Sequence, residues 1–113
     1  RRYAVPMMPG TYTPTEMMTA YEAGADFVKV FPASSLGPSF FKDLRGPLPQ
    51  LKIIPTGGIT PANAADYIKA GVAAVGMGSA LAPQALVEKR DFASISKLAS
   101  ELLATIKAAR AAK

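Results

Sequence analysis

Phe27-Val28-Lys29-Val30-Phe31-Pro32-Ala33 sets one cation inside six apolar residues. Valine and phenylalanine on either side of it favour a strand, and Pro32 marks where the strand ends. Lysine is rarely buried without a reason. One reading is a strand lysine whose stem lies on apolar surface while its head reaches water. The other is an amine desolvated by its neighbours Phe27 and Phe31, so that it can attack a carbonyl. The elements on both sides decide between them.

Upstream, residues 3–8 form a short apolar run that reads as a strand broken by Pro9-Gly10. Thr13-Pro14-Thr15-Glu16 then opens a helix, with Thr13 as N-cap, Pro14 in the first turn and Glu16 as reciprocal capping partner. Glu16 is therefore read as a cap rather than as a catalytic base. The helix runs to about Ala23, and Gly24 suits a left-handed C-terminal cap. Downstream, Ser34-Ser35-Leu36-Gly37-Pro38 is a loop, 39–44 a short helix, and Gly46-Pro47-Leu48-Pro49 a rigid connector. Residues 51–55 form the next strand, and Thr56-Gly57-Gly58 follows it directly. Thr60-Pro61 is a second helix start, with a helix ending at Gly71. Residues 72–75 are a further strand running into Gly76-Met77-Gly78-Ser79. A last helix over 92–109 carries an apolar stripe of Phe92, Ile95, Leu98, Leu102 and Ile106.

The second Thr-Pro recurs 47 residues after the first, from 13 to 60, and the same offset pairs Ala23-Gly24 with Ala70-Gly71 and Val28 with Val75. Alternating short strands and helices in phase predict βα units and an α/β fold with a parallel sheet. About four units fit, half of the eight that close a (β/α)8 barrel. Residues 1–113 therefore read as a single domain, a half-barrel. Four parallel strands alone leave open edges and an uncovered inner face, so the half-barrel is expected to pair with a missing half or to self-associate.

Composition narrows the function. Half of the 113 residues are hydrophobic and 19% are charged, as in a globular domain. No apolar run approaches the ~20 residues of a membrane span. The net charge of +5 comes from scattered basic residues without interleaved aromatics, so neither nucleic acid nor membrane is an expected partner. There is no cysteine, which removes disulfides and thiolate metal sites and is compatible with a reducing compartment; the cytoplasm is the expected location. There is no histidine either, so the commonest general base and metal ligand is missing.

Barrel sites lie at the C-terminal ends of strands, and the unusual residues gather there. Lys29 is near the end of one strand, Thr56-Gly57-Gly58 follows the next, and Gly76-Met77-Gly78-Ser79 follows the last. The final two loops of a barrel commonly bind phosphate through bare backbone N–H groups and a helix N-terminus. Taken singly, each glycine could serve only turn geometry. Two such loops after successive strands favour a phosphate site at Gly57, Gly58, Gly78 and Ser79.

These stretches also carry a family likeness. Pro9-Gly10, Thr13-Pro14-Thr15-Glu16, Val28-Lys29-Val30-Phe31-Pro32-Ala33, Gly46-Pro47-Leu48-Pro49, Pro55-Thr56-Gly57-Gly58-Ile59 and Gly76-Met77-Gly78-Ser79 resemble, in order and spacing, the C-terminal half of the 2-keto-3-deoxy-6-phosphogluconate/4-hydroxy-2-oxoglutarate aldolases. The Pro-Thr-Gly-Gly form is more similar to the phosphogluconate group than to the related 6-phosphogalactonate aldolases. The resemblance implies a metal-independent class I aldolase without a cofactor, trimeric in the family, acting on a small phosphorylated keto acid. It implies that Lys29 forms a Schiff base with the C2 carbonyl, that Thr56 contacts the substrate, that Phe31 packs beside the pyruvate moiety, and that Gly57, Gly58 and Ser79 hold the phosphate. It also implies a proton-shuttling glutamate and a carboxylate-gripping arginine on strands upstream of Arg1; Glu16, Glu22, Glu88 and Glu101 do not match that glutamate's motif. The chain alone is thus expected to turn over slowly or not at all. Three other readings stand beside this one: a non-catalytic half-barrel that self-associates and keeps phosphate binding, a 6-phosphogalactonate aldolase, and a sugar-phosphate isomerase or epimerase. The last shares the glycine loops but does not need this lysine.

Overall fold

The first strand of the structure is two residues long because its sequence cannot donate a longer ladder. The computed structural model describes residues 3–112, and β1 is Gly10–Thr11. The strand read over 3–8 is not formed. Pro6 and Pro9 lack N–H groups, and the Met7 N–H is taken by the Asp26 carboxylate at 2.8 Å. The segment still accepts bonds from its neighbour: Met7 O takes the N–H of Asp26 and Phe27, and Pro9 O takes that of Lys29 at 3.0 Å. It runs beside β2 as an edge that accepts without forming strand, a place where proline is tolerated.

Helix α1, Pro14–Glu22, begins as its sequence demands. Thr13 Oγ1 accepts the Glu16 N–H, and the Glu16 carboxylate accepts those of Thr13 and Tyr12 at 2.9 and 2.8 Å. Gly24 sits at φ +92, and Gly71, its counterpart in the repeat, at φ +100. Strand β2, Val28–Val30, is shorter than the apolar stretch around it. Ala33–Ser35 makes a 3-10 turn, and α2, Gly37–Leu44, starts two residues earlier than expected, with Pro38 in its first turn.

Strand β3, Ile53–Pro55, completes a parallel sheet of order β1-β2-β3. Its register sets Lys29 beside Gly10 on one side and Ile54 on the other. The strand expected over 72–75 is reduced to one parallel bridge, Thr56 to Gly76. Two features explain this. Thr56 N–H goes to Val30 on the β2 side, so Pro55, facing the opposite way, would have to donate to the fourth segment and has no hydrogen to give. Moreover Ala73 bonds Ile53 O while Gly76 bonds Pro55 O, so the fourth segment carries one extra residue across the gap.

Helix α3, Ala64–Lys69, starts four residues after Thr60. Thr60 does not act as the expected side-chain cap. Instead Asn63 closes the entry, its Oδ1 accepting the Thr60 N–H at 2.8 Å and its Nδ2 donating to Gly58 O at 3.0 Å. A short helix α4, Gln84–Glu88, was not anticipated, and α5, Phe92–Ala111, packs against α3. Of the expected α5 stripe, Leu102 is buried and Ile106 packs on the core, whereas Phe92 is exposed.

The core lies between sheet and helices: Val28, Val30 and Ile53 from the strands meet Met17, Phe41, Ile68 and Leu102. Tyr67 is buried there with its hydroxyl on Ala33 O, and burial pushes its phenol above the usual tyrosine range. On the opposite sheet face, Met8 and Phe31 border the recesses around Lys29 and are both more than half exposed, with no cover among the described residues.

Candidate functional site

Alternation along β2 decides where its lysine goes. Val28 and Val30 are 1% and 0% exposed on the helix side, so Lys29 projects from the other face, the inner face of the half-barrel. Its ammonium lies 5.4 Å from the centre of the Phe31 ring. Phe27, expected as a second apolar neighbour, instead has the Lys52 ammonium 5.8 Å from its ring centre. Among the described residues the only ion pair is Lys97 with Glu101, so no carboxylate neutralises Lys29.

Three adjoining recesses surround this lysine. One of about 410 Å³ is lined by Met8, Lys29, Ile54, Thr56, Gly76, Met77 and Gly78. One of about 370 Å³ joins Phe31 and Thr56 to Gly57, Gly58, Gly78 and Ser79. The third, of about 270 Å³, lies toward β1 and is lined by Gly10, Thr11, Tyr12, Glu16, Lys29 and Phe31. Every residue singled out from the sequence therefore borders one connected surface at the C-terminal end of the sheet.

Thr56 is held by its backbone, its N–H on Val30 O at 2.9 Å and its carbonyl accepting Ala33 N–H at 2.8 Å. Gly57 and Gly58 have φ of +90 and +73, and both are closely covered. A Cβ on Gly57 would lie 3.0 Å from the Phe31 ring, and one on Gly58 only 2.5 Å from Ser34 Cβ. Turn geometry and tight packing thus both require these glycines. Gly78 differs: nothing lies within 4 Å of an added Cβ. The amides of Gly57, Gly58, Gly78 and Ser79, like those of Ile59, Met77 and Ala80 beside them, have no acceptor among the described residues, so unclaimed N–H groups border this recess. No long helix starts after Ser79, since α4 has five residues and begins at Gln84. The loops, not a helix dipole, would have to hold an anion.

Sequence reasoning passed over Gly76, Ser34 and Tyr12. A Cβ on Gly76 would run into the Thr56 hydroxyl, so this glycine fixes how the last two loops approach. The Gly-Met-Gly-Ser run carried that signal. Ser34 and Tyr12 carried none, because their contacts join separate loops.

A parallel α/β sheet with an inward lysine and glycine loops at its strand ends defines a (β/α)-barrel type of protein with its site on the C-terminal face. The chain belongs to the KDPG and KHG aldolase family, whose model matches residues 1–98. It is 40% identical over 111 residues to the 2-dehydro-3-deoxy-6-phosphogalactonate aldolase of Escherichia coli, covering 97% of this chain and 51% of that protein. It is also 40% identical over 101 residues to the 2-dehydro-3-deoxy-phosphogluconate aldolase of Pseudomonas aeruginosa, covering 88% of this chain and 46% of the relative. A solved structure described as "Native KDPGal structure" superposes with a TM-score of 0.73 at 39% identity, over 98% of this chain and 51% of that one. The chain thus spans about half the length of the relatives it matches. The same 40% identity to one relative of each kind does not support the phosphogluconate preference read from Pro-Thr-Gly-Gly.

Proposed function

We propose that this chain supplies the imine-forming half of a class I aldolase that cleaves a phosphorylated 2-keto-3-deoxy acid into pyruvate and glyceraldehyde 3-phosphate, with 4-hydroxy-2-oxoglutarate (yielding glyoxylate) as a second substrate. The observation that carries this is the adjacency of Lys29, which has no ion-pair partner among the described residues, to a glycine-loop recess bordered by unclaimed backbone amides. The Lys29 amine adds to the C2 carbonyl and water leaves, giving a protonated imine. The C4 hydroxyl loses its proton and the C3–C4 bond breaks. Its electron pair passes to the imine nitrogen, which leaves an enamine and a free aldehyde. Protonation of the enamine at C3 and hydrolysis of the imine release pyruvate and restore the amine. Phe31 packs beside the pyruvate part, and Thr56 contacts the bound substrate. Gly57, Gly58, Gly78 and Ser79 hold the phosphate.

The proton shuttle is no residue of this chain. Glu16, which lines a recess with Lys29, accepts two backbone N–H bonds, and those of Thr13 and then Tyr12 hold its carboxyl below the usual range, which suits a cap and not a proton-transfer group. General acid–base help is worth ~10²–10⁴ in rate, so full activity needs the other half-barrel, within one longer chain or in an oligomer. The lack of cysteine fits a cytoplasmic setting. Pyruvate release from the phosphorylated keto acid by the full protein, measured with and without EDTA, tests the reading. Release unchanged by EDTA and lost in Lys29→Met is expected. Release that EDTA abolishes, or that survives in Lys29→Met, contradicts it.

A further inference from the structure

The recess on the β1 side of Lys29 shares Lys29 and Phe31 with the imine site, but its remaining wall, from Gly10 to Tyr12 and Glu16, has no part in the reaction described above. Tyr12 forms its outer wall. The Tyr12 backbone is fixed by the capping box, its N–H on the Glu16 carboxylate at 2.8 Å, and Thr11 O is held by Phe31 N–H at 3.0 Å. Its phenol reaches across to the loop after β2 and meets Ser35 Oγ at 3.0 Å. Ser35 Oγ in turn lies 3.4 Å from Pro32 O. A carbonyl only accepts, so when the serine hydrogen is on Pro32 the phenol hydrogen goes to Ser35, one of the two directions open to the Tyr12–Ser35 contact. In that arrangement the phenol oxygen keeps its lone pairs as an acceptor at the wall of the recess. The Glu16 carboxylate in the same wall is another acceptor. This side of Lys29 therefore offers acceptors, whereas the glycine side offers amide donors.

The geometry points to Tyr12 as a specificity-determining residue that accepts a hydrogen bond from a hydroxyl on the aldehyde half of the substrate and disfavours a carboxylate there. The inference rests on the aldolase reading above. Phe31 walls both the glycine recess and the Tyr12 recess, so a substrate lying over its ring presents phosphate to one and its remaining substituents to the other. The two proposed substrates differ at the point that matters. The phosphorylated six-carbon acid has a hydroxyl on C5, while C5 of 4-hydroxy-2-oxoglutarate is a carboxylate. Lone pairs facing a carboxylate leave both unpaired, which is a strong means of rejection.

The test compares kcat/KM for these two substrates in the full protein and in its Tyr12→Phe and Ser35→Ala variants. Borohydride trapping of pyruvate on Lys29 is run on each as a measure of intact folding and imine formation. Tyr12→Phe is expected to lower kcat/KM for the phosphorylated substrate about 10-fold, the usual value of one hydrogen bond, and to raise it for 4-hydroxy-2-oxoglutarate, whose carboxylate no longer meets the phenol lone pairs. Ser35→Ala frees the phenol hydrogen to donate, so the ratio should shift toward 4-hydroxy-2-oxoglutarate. Equal changes for both substrates in Tyr12→Phe, or an unchanged ratio in both variants, overturn the assignment to Tyr12. Failure of the unaltered protein to trap pyruvate overturns the aldolase reading instead, so the two failures are distinct.

Discussion

Gly58 and Gly78 look alike in the sequence, yet their surroundings give them different stability costs. Gly58 has a left-handed backbone and Ser34 against it, whereas Gly78 stands in open space. Gly58→Ala should lose about 1–2 kcal/mol from the backbone alone, with the clash added to that. Gly78→Ala should stay within about 0.5 kcal/mol. Urea denaturation of the two variants checks this, and Ser34→Gly in the Gly58→Ala background should recover only the steric part. Equal losses at Gly58 and Gly78 would show the packing around Gly58 to be wrong. Lys29 was legible at this scale because a lone cation in an apolar strand is unusual and the period of two fixes its face. Ser34 and Tyr12 were not legible, because their partners lie 23 or 24 residues away, Tyr12 on Ser35 and Ser34 under Gly58. No local pattern encodes such a meeting.

At the scale of elements, the two Thr-Pro starts separate what a local code can specify from what it cannot. Thr13 has Glu16 three residues on, and both halves of the capping box form. Thr60 has Asn63 three residues on, and that side chain bonds backward to Thr60 N–H and Gly58 O, delaying α3 to Ala64. Thr13→Ala should therefore cost about 1 kcal/mol by thermal or urea melting, and Thr60→Ala much less. The Glu16 carboxyl is held low by the N–H groups of Thr13 and Tyr12. Its folded pKa is below its unfolded value of 4.5, so its stabilising contribution is complete above that pH and drains away as pH falls through the folded pKa. Glu16→Gln should flatten this acid limb of the stability curve, and a limb as steep as before would count against the box. The strand over 72–75 was misread because the apolar run was real but its ladder needs a donor that Pro55 lacks.

For the whole molecule, the parallel βα order was legible from the 47-residue offset between 13 and 60, since Gly24 and Gly71 repeat the same left-handed cap. What completes the sheet was not, because nothing among the described residues covers Met8 and Phe31 on the inner face. The isolated chain is expected to self-associate through this face in sedimentation velocity runs, and a charged substitution at Met8 should lower its apparent mass. A monomer at all concentrations would mean that the face needs no cover. The central claim concerns one nitrogen on that face. Full protein treated with pyruvate and borohydride, digested and read by mass spectrometry, should carry a reduced pyruvyl adduct on Lys29. An adduct on another lysine, or none at all, would contradict the account.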